Sequence, residues 1–228
     1  MRLDRLIAHL ACISQQHVRR LLAGGHVSVN AETVHDGSRA IRPFDRVESE
    51  QRILQLGYPA RYLMLHKPVG YVSATEHPTH RTVLDLVGAS ADELHLAGRL
   101  DLNTTGLLLL TNDGHWSRRL TLPGNKQPKV YRVQTEDPID PACIAAFEKG
   151  LYFSYEKLTT LPAHLEILDS HTARLTLHEG RYHQVKRMFG HFRNRVTGLH
   201  RETIGPLSLG DLPEGTFRAL TPAEIAAF

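Results

Sequence analysis

The sequence AGRLDLNTTG at residues 97–106 runs directly into four consecutive leucines at residues 107–110. Such an apolar run, followed by the turn-forming residues TNDG at 111–114, predicts a buried strand that ends in a turn. Asp101 lies just before that strand, between two leucines. A carboxylate in an apolar segment is usually either paired with a cation or used in chemistry. For a lone aspartate beside glycine, the capping of a turn is the favoured role, and a functional carboxylate at Asp101 is the alternative.

The composition places few limits on the rest of the chain. Its 228 residues are enough for one large domain or for a small domain joined to a larger one, and 41% hydrophobic with 22% charged residues is ordinary for a globular protein. The formal net charge of +3 and the isoelectric point near 9.0 make the protein mildly basic. This charge is compatible with a polyanionic partner such as nucleic acid but does not require one.

The two cysteines, Cys12 and Cys143, have no spacing that indicates a metal site or a disulfide framework. We expect both to be reduced thiols. The N-terminal sequence MRLDR contains no apolar signal-peptide core, and no later segment is long enough to span a bilayer. These observations predict a cytoplasmic protein that does not associate with membranes.

The first part of the chain has the pattern of a small separate domain. Apolar residues recur every three or four positions in residues 3–10, which predicts a short amphipathic helix. Ser14 can cap a second helix that ends at Gly24. Valines then alternate with polar residues, which predicts a pair of short strands. Arg19 and Arg20 are expected on the exposed side of the second helix.

This pattern resembles the S-four-like RNA-binding domain, which was first described in the fourth protein of the small ribosomal subunit. The resemblance is carried by RLDRL at residues 2–6 and GHVSVN at residues 25–30, and it covers about residues 1–56. It implies that Arg19 and Arg20 contact RNA phosphates and so position the protein without reading bases. Without the resemblance, two exposed arginines would indicate only a solvated helix face.

We predict a domain boundary close to Gly57 and Pro59, which interrupt any regular pattern. The first domain would then span residues 1–57 and the second residues 60–228. In the second domain, strand patterns outnumber helical ones and do not alternate with them strictly, so we predict an α+β fold with a mixed, mainly antiparallel sheet and flanking helices. The predicted strands are residues 62–65, 70–73, 107–110, 129–133, 165–168, 173–177 and 217–220, and the predicted helices are residues 82–87, 141–149 and a C-terminal helix that begins with the capping box TPAE at 221–224.

A second candidate segment is EGRYHQVKRMF at residues 179–189. If it forms a helix, Val185, Met188 and Phe189 lie on one buried face. The cations of the segment then share another face, which is either a solvated surface or a binding site for an anion. These cations are His183, Lys186 and Arg187.

These segments resemble the motifs of the bacterial ribosomal RNA pseudouridine synthase family, and most closely its small-subunit type. The resemblance is carried by the segment around Asp101, by KVYRV at residues 129–133, by residues 179–189 and by LHRETIG at residues 199–205. Because the motifs occur in the family's order, the resemblance covers essentially residue 62 to the C-terminus. It implies site-specific isomerisation of a uridine to pseudouridine in 16S ribosomal RNA.

That reaction breaks the N-glycosidic bond, turns the uracil and joins its carbon five to the ribose. It contains no redox step and no group donor, so the resemblance implies no cofactor and no metal. The resemblance places the nucleophile at Asp101, acting on a nucleotide flipped out of its stack. It also implies a cation beside this carboxylate, for which Lys186 is the first candidate and Arg181 the second.

The resemblance implies roles for further side chains. Tyr131 would stack on the uracil and take the proton from its carbon five. Arg99 would hold the flipped nucleotide, and Leu177 would form an apolar floor under the base. The other expected contacts with the substrate or the RNA are Arg181, His183, Arg187 and Arg201, in addition to Arg19 and Arg20.

Two other functions stay open at this point. A synthase for the large-subunit (23S) ribosomal RNA shares the same motifs, and a non-catalytic assembly factor that binds ribosomal RNA could keep the same fold. The joint presence of Asp101, Tyr131 and Lys186 favours an enzyme, and the form of the first motif favours the small subunit. We expect a monomer that binds ribosomal RNA, free or in a pre-ribosomal particle, and binds no DNA. The sequence leaves the target uridine open.

Overall fold

The computed structural model describes residues 1–122 and 127–228. The chain divides into two compact units, Met1–Ala60 and Arg61–Phe228. Both cysteines are free; Cys12 is exposed and Cys143 is buried. Within the described ranges, no helix is long and apolar enough to cross a membrane.

The first unit contains two helices and a four-stranded antiparallel sheet. The serine predicted to cap the second helix does so, since the hydroxyl of Ser14 accepts a hydrogen bond from the backbone N–H of His17 at 3.2 Å. Leu3, Ile7 and Val29 are fully buried in one apolar core shared by helices and sheet. The elements are α1 (Leu3–Ala11), α2 (Gln15–Ala23), β1 (Val27–Val29), β2 (Glu32–Thr33), β3 (Val47–Ser49) and β4 (Arg52–Gln55), with strand order β2-β1-β3-β4.

The second unit contains a nine-stranded sheet with helices on both faces. In the described part of the chain its elements are β5 (Tyr62–Lys67), α3 (Val83–Val87), β6 (His95–Leu96), β7 (Thr105–Thr111), α4 (Gly114–Thr121), β8 (Lys129–Thr135), α5 (Ala142–Lys149), β9 (Tyr152–Phe153), β10 (Leu158–Thr159), β11 (His164–Ile167), β12 (Thr172–Leu177), α6 (Gln184–His191), β13 (Val196–Ile204), β14 (Leu207–Ser208), β15 (Phe217–Ala219) and α7 (Pro222–Ala226).

The strands of this sheet follow the order β11-β12-β8-β13-β7-β5-β15, while β14 pairs with β13 and β6 with β7. Strands β9 and β10 form a separate hairpin. All recorded pairs of the large sheet are antiparallel except β13 with β7, which is parallel. The predicted α+β class with a mixed, mainly antiparallel sheet is therefore confirmed.

Strand β7 explains why its sequence is an unbroken apolar run. All four leucines at residues 107–110 are fully buried, but they belong to two different cores. Leu108 and Leu110 pack on the face that carries α3, α5 and α6, whereas Leu107 and Leu109 pack against α4 on the other face. A strand covered on both faces needs apolar residues at every position.

The parallel pairing of β13 with β7 requires glycine at residue 106. Gly106 lies opposite Arg201, and its φ of +112° is in the region that favours glycine. A Cβ atom at this position would collide with the backbone of Arg201. The two strands can therefore approach closely just after the segment that carries Asp101.

One predicted strand is wrong. Residues 70–73 form only a single bridge, between Val72 and Thr82, and are otherwise irregular. The N–H of Gly70 donates to the carbonyl of Leu102 in the Asp101 segment at 3.0 Å, whereas the N–H of Val72 donates to the carbonyl of Arg81 at 3.0 Å. The alternating pattern indicated a strand, but the partners of these backbone groups are divided between two other segments of the chain.

Helix α4 has no counterpart among the predicted elements. The residues TNDG at 111–114 were predicted to end β7 in a turn, and the same turn also starts a helix. The Asp113 carboxylate accepts hydrogen bonds from the N–H groups of His115 at 2.9 Å and Trp116 at 3.1 Å. An aspartate in a turn can thus be the N-cap of a helix, which the turn pattern alone does not reveal.

Candidate active site

A cavity of about 1050 Å³ in the second unit is lined by both of the segments that the sequence singled out. Its walls come from residues 97–104, which precede β7, from the first residues of β8, from residues 177–186, and from β13. The lining side chains include Asp101, Tyr131, Leu177, Arg181, His183, Lys186 and Arg201.

Hydrogen bonds from Ser73 hold the segment that carries Asp101. The hydroxyl of Ser73 donates to the carbonyl of Leu100 at 2.7 Å and accepts the N–H of the same residue at 3.0 Å. The segment also closes on itself, because the N–H of Thr104 donates to the carbonyl of Asp101 at 3.0 Å. The nucleophile candidate therefore sits on a fixed loop and not on a free one.

Lys67 contacts the segment that carries Asp101, and no pattern in the sequence singled it out. It ends β5 and is fully buried, and its Nζ donates to the carbonyls of Pro68 at 2.8 Å, Thr104 at 2.9 Å and Leu102 at 3.3 Å. Burial lowers the pKa of Lys67 from 10.5 to about 8, and the negative charge of Asp101 opposes this shift. Lysine at the end of a strand is usually exposed, so its burial depends on loop carbonyls that no local pattern indicates.

Two side-chain nitrogens contact one oxygen of Asp101. Lys186 Nζ lies 3.3 Å from Oδ2, and His183 Nε2 lies 3.5 Å from the same atom. Lys186 is on the first turn of α6, and His183 precedes that helix with a left-handed φ of 48°. The Asp101 side chain keeps 30% of its surface exposed in the cavity. A carboxylate in this position can reach a bound molecule while it stays next to positive charge.

Arg181 has a different partner. Its Nε donates to Oε2 of Glu179 at 3.0 Å, and Oε1 of Glu179 accepts from the N–H of Leu161 at 2.9 Å and from Nε2 of Gln184 at 2.8 Å. Of the two cations considered for Asp101, the structure therefore brings Lys186 to the carboxylate and leaves Arg181 with Glu179.

Tyr131 and Leu177 project from neighbouring strands into the cavity. Strands β12 and β8 pair in the register that sets Leu177 opposite Lys129 and Leu175 opposite Tyr131. Because side chains alternate along a strand, all four lie on the same face of the sheet. Tyr131 and Leu177 are both buried. Together they provide a phenol and an apolar surface at the inner end of the cavity.

The remaining predicted contacts differ in their surroundings. Arg99 is exposed, whereas Arg187 forms a two-point ion pair with Glu156, at 2.5 Å for each contact, and lies over the ring of Phe153. Arg201, which was expected to contact the substrate or the RNA, is only 2% exposed; it lies in β13 and lines the cavity. A strand position opposite Tyr131 turns its side chain inward. In the first unit, Arg19 and Arg20 are exposed on α2.

The arrangement has the parts for nucleophilic attack on a planar, polar substrate. A carboxylate lies beside a lysine, and a phenol and an apolar surface line the same cavity. Among the described residues, no group of three or more His, Cys, Asp and Glu side chains is placed to hold a metal ion.

Comparison with known proteins gives consistent matches over the whole chain. Residues 61–191 match the family model of RNA pseudouridylate synthase, and residues 1–47 match the S4 domain. The chain is 57% identical to "Ribosomal small subunit pseudouridine synthase A" of Pseudomonas aeruginosa over the full length of both. It is 43% identical to the protein of the same name from Escherichia coli, covering 100% of this chain and 99% of that one. A solved structure described as "Crystal structure of pseudouridylate synthase" is 40% identical, with a TM-score of 0.71 and coverage of 100% and 99%.

Proposed function

This chain belongs to the RNA pseudouridylate synthase family, and we propose that it isomerises one specific uridine of 16S ribosomal RNA to pseudouridine. The names of the relatives that match over the full chain support the small-subunit substrate. The observation that carries the chemistry is the Asp101–Lys186 pair at 3.3 Å, in a cavity that also holds Tyr131 and Leu177.

In the proposed mechanism Asp101 is the nucleophile. A carboxylate oxygen attacks C1′ of the ribose, the N1–C1′ bond breaks, and its electron pair leaves with the uracil. The uracil turns so that its C5 attacks C1′, which releases the carboxylate. C5 then loses its proton and N1 gains one, so the product is an isomer of the substrate and no co-reactant is used. The same enzyme group is thus returned unchanged after each turnover.

The charges around Asp101 fit this role. Lys186 and His183 both contact Oδ2, so in the described part of the chain Oδ1 is the oxygen that a ribose can approach. Lys67 holds two carbonyls of the same loop, at Leu102 and Thr104, and so keeps the carboxylate in place. A nucleophile that is fixed before substrate binds needs less ordering in the transition state.

We propose that the uracil binds between Tyr131 and Leu177, where the phenol is in position to take the C5 proton. Tyr131 and Leu177 both line the cavity next to Asp101. Arg99, Arg181, His183 and Arg187 then contact the RNA around the flipped nucleotide. The first unit adds phosphate contacts from Arg19 and Arg20 on α2, which position the enzyme on its RNA.

The test is a map of pseudouridine in ribosomal RNA from cells with and without the gene, together with the purified protein on 16S and 23S transcripts. We expect one 16S position to lose its pseudouridine in the deletion strain and to regain it with the purified protein, acting as a monomer on free RNA or on an assembling particle. Modification of 23S alone would replace the proposed substrate, and modification of neither would leave a non-catalytic binding factor.

A further inference from the structure

Arg201 is buried and its hydrogen bonding is incomplete. It is 2% exposed; its Nε donates to the carbonyl of Leu107 at 2.8 Å, and its Nη1 donates to the carbonyl of Arg99 at 3.4 Å and to Oη of Tyr131 at 3.5 Å. Its Nη2 is buried and has no hydrogen-bond partner among the described residues. Buried donors are almost always paired, so this nitrogen calls for an explanation.

The charge of Arg201 is also uncompensated within the described ranges. Other arginines of this unit pair with glutamates, such as Arg174 with Glu202 and Arg218 with Glu224, but the recorded partners of Arg201 are neutral oxygens. A buried cation without an anion is unfavourable unless a ligand completes it.

The side chain of Lys129 lies close enough to Arg201 for the two positive charges to interact. Lys129 lines the same cavity, and its pKa is lowered by burial and, to a smaller extent, by the positive charge of Arg201. Two cations that repel each other at the inner end of a cavity favour a ligand with electron-rich atoms.

The position of Arg201 favours a contact with the base over a contact with the RNA backbone. In the sheet it lies directly opposite Tyr131, and it shares the cavity lining with Leu177 and Leu199. The planar face of a base can enter an apolar cavity when a few placed polar groups satisfy its carbonyl oxygens and its N–H group. Uracil has two such oxygens, O2 and O4.

Building on the proposed function, we propose that Arg201 donates a hydrogen bond to a carbonyl oxygen of the target uracil and stabilises its negative charge. When the N1–C1′ bond breaks, the electron pair stays on the base and is delocalised onto N1, O2 and O4. A guanidinium fixed in a water-poor site stabilises this charge without reorganising during the reaction. When C5 bonds to C1′ and N1 is protonated, the base is neutral again and Arg201 returns to its starting state.

The test combines substitutions of Arg201 with substitutions of the uracil. Short substrate RNAs carry uridine, 2-thiouridine or 4-thiouridine at the mapped position, since sulfur accepts hydrogen bonds more weakly than oxygen. Single-turnover release of tritium from C5 is measured for the unmutated protein and for Arg201→Gln. Because each thio effect is a ratio within one enzyme, the intrinsic reactivity of the thio base cancels in the comparison of enzymes.

We expect Arg201→Gln to slow uridine turnover by about a hundredfold, and at least one thio substitution to slow the unmutated enzyme about tenfold more than it slows Arg201→Gln. If 2-thiouridine slowed both enzymes by the same factor, and 4-thiouridine did so too, the proposal would be overturned and Arg201 would have a structural role. Arg132→Gln is the matched control, since Arg132 is exposed and alternates to the opposite face of β8. It should behave like the unmutated protein.

Arg201→Lys covers the case in which the glutamine variant melts below the assay temperature. Lysine keeps the charge but cannot reproduce the forked contacts of arginine. The thio effect of Arg201→Lys should therefore be smaller than that of the unmutated protein but still measurable. A thio effect equal to that of the unmutated protein would again contradict the proposal. If the unmutated protein produces no pseudouridine on uridine RNA, the proposed function fails, which is a separate outcome.

Discussion

Two carboxylate–cation pairs lie in the same cavity, and they differ in how completely the carboxylate is satisfied. Glu179 accepts three hydrogen bonds at 2.8–3.0 Å, from Leu161, Gln184 and Arg181, and is 12% exposed. Its oxygens are therefore occupied by bonds that fix the start of α6 against a neighbouring loop.

Asp101 shows the opposite arrangement. Its two contacts, from Nζ of Lys186 at 3.3 Å and Nε2 of His183 at 3.5 Å, fall on the same oxygen and are longer than those of Glu179. The side chain is also more exposed, at 30%. Both are carboxylate–cation pairs, so the presence of a neighbouring cation does not by itself decide whether a carboxylate has a structural or a chemical role. A saturated carboxylate stabilises the fold, and an unsaturated one that stays next to positive charge can react.

The largest expected effect comes from removing each carboxylate in turn. Asp101→Asn should fold normally and lose at least about a thousandfold in turnover, because an amide is a poor nucleophile. Glu179→Gln should instead lower the free energy of unfolding by about 1–3 kcal/mol and keep activity within about tenfold. Tritium release and urea denaturation measure the two quantities. If Glu179→Gln lost as much activity as Asp101→Asn, the distinction between the two pairs would be wrong.

The next effect tests whether the Asp101 loop must be held in place. Lys67→Met removes the three hydrogen bonds that its ammonium donates to backbone carbonyls. We expect single-turnover rates to fall between about tenfold and a hundredfold, since small displacements of a reacting group have effects of this size. RNA affinity from a filter-binding titration should be unchanged. An unaltered rate would show that the loop keeps its geometry without Lys67.

The same lysine should make stability depend on pH. Its pKa is about 8 in the folded protein against 10.5 ordinarily, so between these values the unfolded chain binds more protons. The free energy of unfolding should therefore rise with pH across this window, by at most about 3 kcal/mol from this residue. Below about pH 8 both states are protonated and the rise disappears. Urea denaturation of the unmutated protein and Lys67→Met should differ in this slope; identical slopes would contradict the assignment.

The smallest expected effect concerns cations that take no part in either pair. Arg19→Ala, on the exposed face of α2, should weaken RNA binding several-fold and reduce the salt slope by about one. It should leave the single-turnover rate at saturating enzyme unchanged. Arg39→Ala is a suitable control in the same unit, because Arg39 already pairs with Glu32 at 3.1 Å. Equal affinities and salt slopes for Arg19→Ala and the unmutated protein would exclude a phosphate contact at Arg19.

Local patterns in the sequence were sufficient for much of the fold. The run of leucines in β7, the apolar face of α6 and the capping box at Thr221 each depend on residues close together in the chain, and each is found in the structure. Asp101 could be selected because its whole segment resembles a family motif, since a lone aspartate beside glycine would sooner indicate a turn cap. The physical cause of each of these features lies within a few neighbouring residues of the sequence.

The parts that were missed depend on contacts between distant segments. Lys67 looks like an ordinary charged residue at the end of a strand, and only the tertiary structure shows that it is buried. Arg201 was expected as a substrate or RNA contact, but its burial is likewise visible only in the tertiary structure. The register of β13, which has an irregularity after Arg201, decides which way that side chain points. Gly70 and Ser73 form hydrogen bonds with the Asp101 segment, which a local strand pattern cannot indicate.

The central claim is that Lys186 supports catalysis by its charge beside Asp101, whereas Arg181 serves the fold through Glu179. Single-turnover kinetics at saturating enzyme tests this directly with Lys186→Met and Arg181→Met, because both variants keep most of the stem and remove one cation. With RNA bound, Lys186→Met should react about a hundredfold more slowly than the unmutated protein, and Arg181→Met should react within about tenfold of the unmutated rate. If Lys186→Met reacted at the unmutated rate once the RNA is saturated, Lys186 would be only a binding residue and the account would be contradicted.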